Sequence, residues 1–381
     1  MRSVLATDHT GGIARREGPF GRSNARCDGG RHRPVLLPTL ASLVLGACAT
    51  TPPPQVDSYT VEVPGGVTDA RGRFREIYCA VLRQHGTDLP DHRSCEEALS
   101  PVNNEPAATG RAVPLEPSAR RLVAAVVAGI GYSCFADWLD PPGSVAAHLR
   151  TYDYDQFVIE VDALSGIETN ARQIRDAILA RPEEPGPPRL VLVGYSKGAP
   201  DILEAVVRYP EIHDRVAAVL SAAGAVGGSA LANDAEQAQA ELLRHWPGAK
   251  CDKGDGGAVV SLRPEVRAAW MAQNPLPPLL RYYSLVTLPT PERISRVNEK
   301  SYTTLGAIDW RNDSQVIYSD QIIPGSTLLG FLNCDHWAIA VPLNRSHPVI
   351  SRSLVDENDY PREALLEAVL RFIEEDLHSA P

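Results

Sequence analysis

Short, nearly continuous apolar runs alternate with stretches of helical periodicity from about Arg121 onward. The runs read LVAAVVAG, QFVIEV, LVLV, VAAVLSAAG, YYSLVT and STLLGFLN. A strand that is apolar on both faces must be covered on both sides, which is the condition of a parallel sheet, and its alternation with helices specifies the α/β class. The expected core is therefore a mostly parallel sheet with helices on both faces. ETNARQIRDAILA and PDILEAVVRYP read as crossover helices, and PREALLEAVLRFIEEDL closes the chain with Leu365, Val369, Phe372 and Ile373 on one side. Between the fourth and fifth runs, residues 228–280 hold two helical pieces, DAEQAQAELLRHW and RPEVRAAWMAQ, around a turn KGDGG. An excursion this long and this structured predicts a helical cap inserted above the sheet.

Upstream of Arg121 the texture differs. RGRFREIYCAVLRQHG sets Phe74, Ile77, Tyr78, Val81 and Leu82 at helical spacing, a helix with one apolar side that has to dock. With the Pro/Gly-rich stretch NNEPAATGRAVPLEPS behind it, residues 58–118 read as a small N-terminal helical appendage to a domain spanning 119–381. Earlier still, VLLPTLASLVLG follows Arg31 and Arg33 and precedes ACATTPPPQ. Basic, then apolar, then small, then polar is the order of an export signal, and the apolar run is too short to span a bilayer. LGAC, ending at Cys48, resembles the lipobox of bacterial lipoproteins, which implies acylation of Cys48 and a lipid anchor; Ala49 after it implies outer-membrane sorting. A plain secretory signal is the alternative. Residues 1–48 are thus set apart as a precursor region and 49–57 as a Pro-rich tether. The long Gly/Arg-rich stretch before Arg31 reads as a misplaced translation start.

The 381 residues are 44% hydrophobic and 22% charged, enough for a large core, and carry a formal net charge of −10. The precursor region is net basic, so its removal leaves the remainder more acidic still, a surface that repels nucleic acid. Beyond the precursor stand Cys79, Cys95, Cys134, Cys251 and Cys334. Cys79 and Cys95 share one small segment, and an export compartment permits a bridge between them, two buried thiols being the alternative. Five is odd, so at least one thiol stays free or pairs outside the chain.

The chemistry concentrates at GYSKG, Gly194–Gly198, which fits G-x-S-x-G. A bare match is weak, and an ordinary turn serine is the bland alternative. Here it follows LVLV directly and opens APDILEAVV, the strand-turn-helix setting of a nucleophile elbow. Five histidines follow Ser196: His213, His245, His336, His347 and His378. His336 alone comes directly after a predicted strand, so it is the candidate base, with His347 in reserve. The acid lies among Asp309, Asp313 and Asp320. RNDSQV around Asp313 resembles the N-D-G-x-V turn of several lipase-like hydrolases, with Ser314 in place of the glycine, which puts Asp313 ahead of Asp320 and Asp309. Asp335 is read as shaping the His336 loop.

From about Arg121 to the end the chain resembles the α/β-hydrolase superfamily, in the order Ser196, Asp313, His336. That resemblance implies backbone oxyanion donors at Lys197 and at Ile130 or Gly131, in VVAGIGYSCF. The Lys197 ammonium is read as pointing to solvent rather than adding positive potential at the oxyanion. The α/β-hydrolase resemblance also implies a serine hydrolase that cleaves carboxylic esters through an acyl-enzyme and needs no cofactor, acting on a small-molecule or lipid ester; the lipobox resemblance adds attachment to the cell envelope by lipid. A non-catalytic envelope lipoprotein, or a peptidase or thioesterase with the same three residues, is the alternative. Leu242, Leu243, Trp246, Trp270 and Met271 read as the cap's own packing ahead of an acyl vestibule. No metal constellation is legible, and KGDGG reads as a loop.

Overall fold

Alternate residues of a strand face opposite ways, so a strand buried on both sides feeds two cores at once. The computed structural model describes residues 59–135, 144–182, 185–187, 189–234 and 254–379. Its strands are β1 (Thr68–Asp69), β2 (Val123–Val127), β3 (Asp155–Ile159), β4 (Leu190–Tyr195), β5 (Val216–Ala222), β6 (Arg281–Thr287) and β7 (Thr327–Leu332). They form one sheet in the order β1-β7-β6-β5-β4-β2-β3, with every adjacent pair parallel. The last six are the six apolar runs of the sequence. β1 was not anticipated, because two residues are too few for any alternation to register.

β4 shows the double burial most fully. Leu190 and Leu192 enter one apolar layer, whereas Val191, Val193 and Tyr195 enter the other. The first layer is closed by α3 (Ile167–Ala180) and α4 (Gly198–Arg208) through Ala171, Ile174, Ile202 and Leu203. Across the sheet lie α1 (Arg71–His85), α2 (Ser144–Arg150) and α7 (Arg362–Ser379), which contribute Phe74, Leu149, Leu365 and Phe372. Each such Leu, Ile or Phe contributes about 2 kcal/mol by leaving water. Two further helices, α5 (Pro264–Gln273) and α6 (Glu299–Gly306), lie on connections at either end of β6. Among the described residues, no helix is long and apolar enough to cross a membrane.

The strand order reverses at β2 and β4. β2 leads to β3 on one side and β4 leads to β5 on the other, so the connections diverge and leave a crevice beyond the carboxyl ends of these neighbours.

The segment read as an appendage is part of the same compact unit as the sheet. β1 adds an edge strand beside β7, Leu99 bridges to Leu332, and α1 lays its apolar stripe against α7. Phe74 fills the space above Gly330, where an added Cβ would meet its ring at 3.2 Å. The docking partner that α1 needs is the last helix of the chain. Cys79 and Cys95 are bonded, with Cα atoms 5.2 Å apart, and join α1 to the turn at Cys95–Ala98. Cys134 is disulfide-bonded too, and Cys334 is a buried free thiol. The export signal, Cys48, the tether, Leu242, Leu243, Trp246 and Cys251 lie outside the described residues.

The bridge closes a loop of 16 residues. Replacing Cys79 and Cys95 together by Ala should lower the unfolding free energy by about 3 kcal/mol. Denaturant titration of the oxidised protein and the double variant tests this, and coincident midpoints would show that the bridge adds nothing.

Candidate active site

β4 runs out of the sheet into Ser196, whose φ of +54° lies in the left-handed region that residues with a side chain rarely adopt. Two glycines make the corner possible. A Cβ at Gly194 would lie 2.4 Å from Ala199 Cα, and one at Gly198 would lie 2.1 Å from the Val127 carbonyl oxygen. Neither neighbour is a flexible side-chain tip, so both positions are closed to any other residue. The corner is pinned by the Ser196 carbonyl, which accepts from the amides of Ala199 at 3.2 Å and Ala225 at 2.9 Å. Gly129, at the end of β2, passes so close that a Cβ there would sit 3.1 Å from Ser196 Oγ. The serine hydroxyl therefore stands in the crevice between β2 and β4.

His336 reaches it from the loop after β7. Its Nε2 is 2.9 Å from Ser196 Oγ, and its Nδ1 is 2.7 Å from Asp313 Oδ2. Asp313 is fully buried, and its two oxygens accept five hydrogen bonds: from His336, from Thr287 Oγ1 at 2.5 Å, from Gln321 Nε2 at 3.2 Å, and from the amides of Gln315 and Val316 at 2.9 and 2.7 Å. Ser314 takes φ +80° where the related turn carries glycine, and its amide donates to Asn312 Oδ1 at 2.9 Å. Tyr195, one residue before the serine, donates its hydroxyl to the His336 carbonyl at 2.9 Å. Asp335 does shape the loop: it accepts from Ser295 Oγ at 2.7 Å and from the amides of Trp337 and Ala338.

The other candidates stand apart. Asp309 is paired with Arg311 at 2.8 Å, His213 bonds the Val206 carbonyl, His378 bonds that of Glu374, and His245 lies outside the described residues. The Asp320 carboxyl is packed against Gly227 instead, where an added Cβ would be 2.6 Å from Oδ1.

Comparison with solved structures places a metagenomic carboxyl esterase beside this fold at 37% identity and a TM-score of 0.77, covering 84% of this chain and 97% of that one. The chain belongs to the α/β-hydrolase family of carboxyl esterases and lipases. The mature lipase of Bacillus licheniformis also matches, at 21% identity and a TM-score of 0.47 over 63% of this chain and 92% of that one. Staphylococcus hyicus lipase matches at 13% and 0.46 over 70% and 99%. No protein-family model and no curated protein sequence matches.

In this carboxylic ester hydrolase the Lys197 side chain departs from the expectation of solvent. It is 1% exposed, and its ammonium donates to both oxygens of Asp201 at 2.7 and 2.9 Å. The cause is the first turn of α4, which brings a residue four positions on back over Lys197; Asn170 of α3 completes the group at 2.8 Å. Burial pushes the Asp201 carboxyl up, and Lys197 opposes that shift. Of the two amides expected as the second oxyanion donor, that of Gly131 donates to the Ala163 carbonyl at 3.3 Å.

The described part of the insertion leans on α3 and α4. Asp255, in the KGDGG turn, caps α3 through the Gly166 amide at 2.7 Å and Thr169 Oγ1 at 2.6 Å. Trp270 Nε1 donates to Glu204, and Arg267 donates to the Val226 carbonyl at 3.1 Å. Trp270 therefore docks the insertion on α4. An apolar cavity of about 170 Å³ lies on the other side of the sheet, walled by Ala128, Tyr132, Tyr195, Leu220, Ile339 and Leu365. Thr287, Gln321 and Gly129 were not singled out in the sequence. Gly129 sits in AGIG, the one of the three whose surroundings signalled a turn.

Burial, with the Asp309 charge adding to it, lifts the Asp320 carboxyl to about 6. A folded pKa above the unfolded one means that the neutral carboxyl is the form the fold favours. The contribution is complete below about 3.9 and is lost as pH rises through 6. Asp320→Asn should therefore match wild type in denaturant midpoint at pH 4 and exceed it at pH 8. Equal midpoints at both pH values would refute this.

Proposed function

We propose that Ser196, His336 and Asp313 form the catalytic triad of this ester hydrolase. The observation that carries the reading is the unbroken hydrogen-bonded chain from Ser196 Oγ through the imidazole to the Asp313 carboxylate. His336 Nε2 takes the hydroxyl proton as Oγ attacks the ester carbonyl, and returns it to the departing alcohol. A water molecule then gives its proton to the same nitrogen and attacks the acyl-enzyme, releasing the carboxylic acid and Ser196. Asp313 holds the proton on Nδ1 and stabilises the imidazolium. The amides of Lys197 and Ile130 receive the oxyanion at the start of α4, where the helix dipole favours negative charge. An apolar acyl group is the substrate part suited to the cavity beside Tyr132 and Tyr195. The order of basic, apolar and small residues before Cys48 supports export and attachment to the cell envelope through acyl chains on that cysteine.

A fluorophosphonate probe should label wild type and fail to label Ser196→Ala. Asp313→Asn should lose about 10⁴-fold in kcat on a simple ester, whereas Asp320→Asn should keep wild-type turnover; the reverse result would move the acid to Asp320. For the anchor, Cys48→Ser should shift the protein from membrane to soluble fractions, and unchanged membrane retention would rule lipidation out.

A further inference from the structure

Outside the active site, two imidazoles and a carboxylate from three different helices converge on one point. His85 ends α1, His148 lies in α2 and Glu367 lies in α7. The Nε2 atoms of His85 and His148 stand 2.9 and 2.7 Å from the same oxygen, Glu367 Oε2. The three donor atoms all lie within 4.8 Å of one another. The imidazole planes cross at 83°, so the rings approach from different directions instead of stacking.

The surroundings are organised around that point. Glu367 is fully buried, and its other oxygen accepts from Arg371 Nε at 2.7 Å, which fixes the plane of the carboxylate and leaves Oε2 turned to the histidines. Arg371 is itself held by the carbonyls of Pro114, Leu115 and Glu116. Tyr152 walls the site, its ring edge-on to both imidazoles, and its hydroxyl accepts from Gln84 at 3.1 Å. A ligand carboxylate oriented by a second hydrogen-bonding partner is the usual construction of a protein metal site.

We propose that His85, His148 and Glu367 bind a divalent ion of the zinc class, with water completing the coordination. Imidazole nitrogen with one carboxylate suits Zn²⁺ and its late first-row neighbours, whereas Ca²⁺ and Mg²⁺ take oxygen shells. Tetrahedral Zn²⁺ with bonds of about 2.0–2.1 Å sets its donors roughly 3.3 Å apart, so the two N···O separations have to open by about half an ångström while the two imidazole nitrogens, within 4.8 Å of each other, draw together. The His85 and His148 side chains are 12% and 8% exposed, which gives them room to move and gives the ion and its water a way in. The ion's role is structural. It ties α1 to α7 and to α2. The sequence shows no trace of the site because His85 and His148 stand 282 and 219 residues from Glu367, far outside any ligand-spacing motif.

The test uses the full chain without a histidine purification tag, stripped with chelator and titrated with Co²⁺ and Zn²⁺. Wild type should bind one ion per chain by elemental analysis, give the visible absorption of tetrahedral Co²⁺, and rise in Tm by roughly 5 °C in saturating Zn²⁺. His85→Gln and His148→Gln should each weaken binding roughly 100-fold or more and abolish the Tm rise, while still labelling with fluorophosphonate as a check on folding. Glu367→Gln also unpairs Arg371, so the two histidine variants decide the outcome. No stoichiometric ion on wild type, or equal binding by folded histidine variants, would overturn the site.

Discussion

The left-handed backbone at Ser196 is the constraint on which the rest depends. It costs on the order of 1–3 kcal/mol and persists only where the surroundings leave the chain no alternative. Here the surroundings are the middle of the sheet. β4 is held between β2 and β5, and the corner at its end is in contact with Val127, Ala199 and Gly129. The two buried layers supply the stabilisation that offsets the strain, and the strain presents the hydroxyl.

The partners of that hydroxyl are held almost as firmly. Tyr195 reaches from the strand carrying the serine to the backbone of the residue carrying the imidazole, so Ser196 and His336 are tied without passing through their own side chains. Thr287 at the end of β6 and Gln321 in the next turn occupy the carboxylate of Asp313 together with two backbone amides. Asp335 anchors the loop from its other side. Hydrogen bonds of this kind set the geometry before a substrate arrives, which is where fixed dipoles are most effective.

What could be read from the sequence follows from how local each cause is. The six longer strands were legible because burial on both faces writes itself into consecutive residues. The corner at 194–198 was legible because only glycine fits beside it. The contact of Asp313 with His336 was legible through the turn, even with Ser314 in the glycine position. Lys197 was misread because its fate depends on Asp201 and Asn170, although the spacing of four to Asp201 was there to be seen. Nothing local separates Gly131 from Ile130, because Ala163, which takes the Gly131 amide, lies beyond β3. The integration of residues 58–118 was invisible because it depends on surfaces that appear more than two hundred residues later, and no periodicity encodes a partner at that distance.

The pairing of α1 with α7 has a consequence for how the molecule comes into being. A polypeptide emerges from the ribosome with its N-terminal end first, so Phe74 and its neighbours wait, greasy and uncovered, until Phe372 has been made. Contacts between remote parts of a chain form slowly, and apolar surface left open in the interval invites association with the wrong partner. α1 is thus a clasp that closes only when α7 arrives.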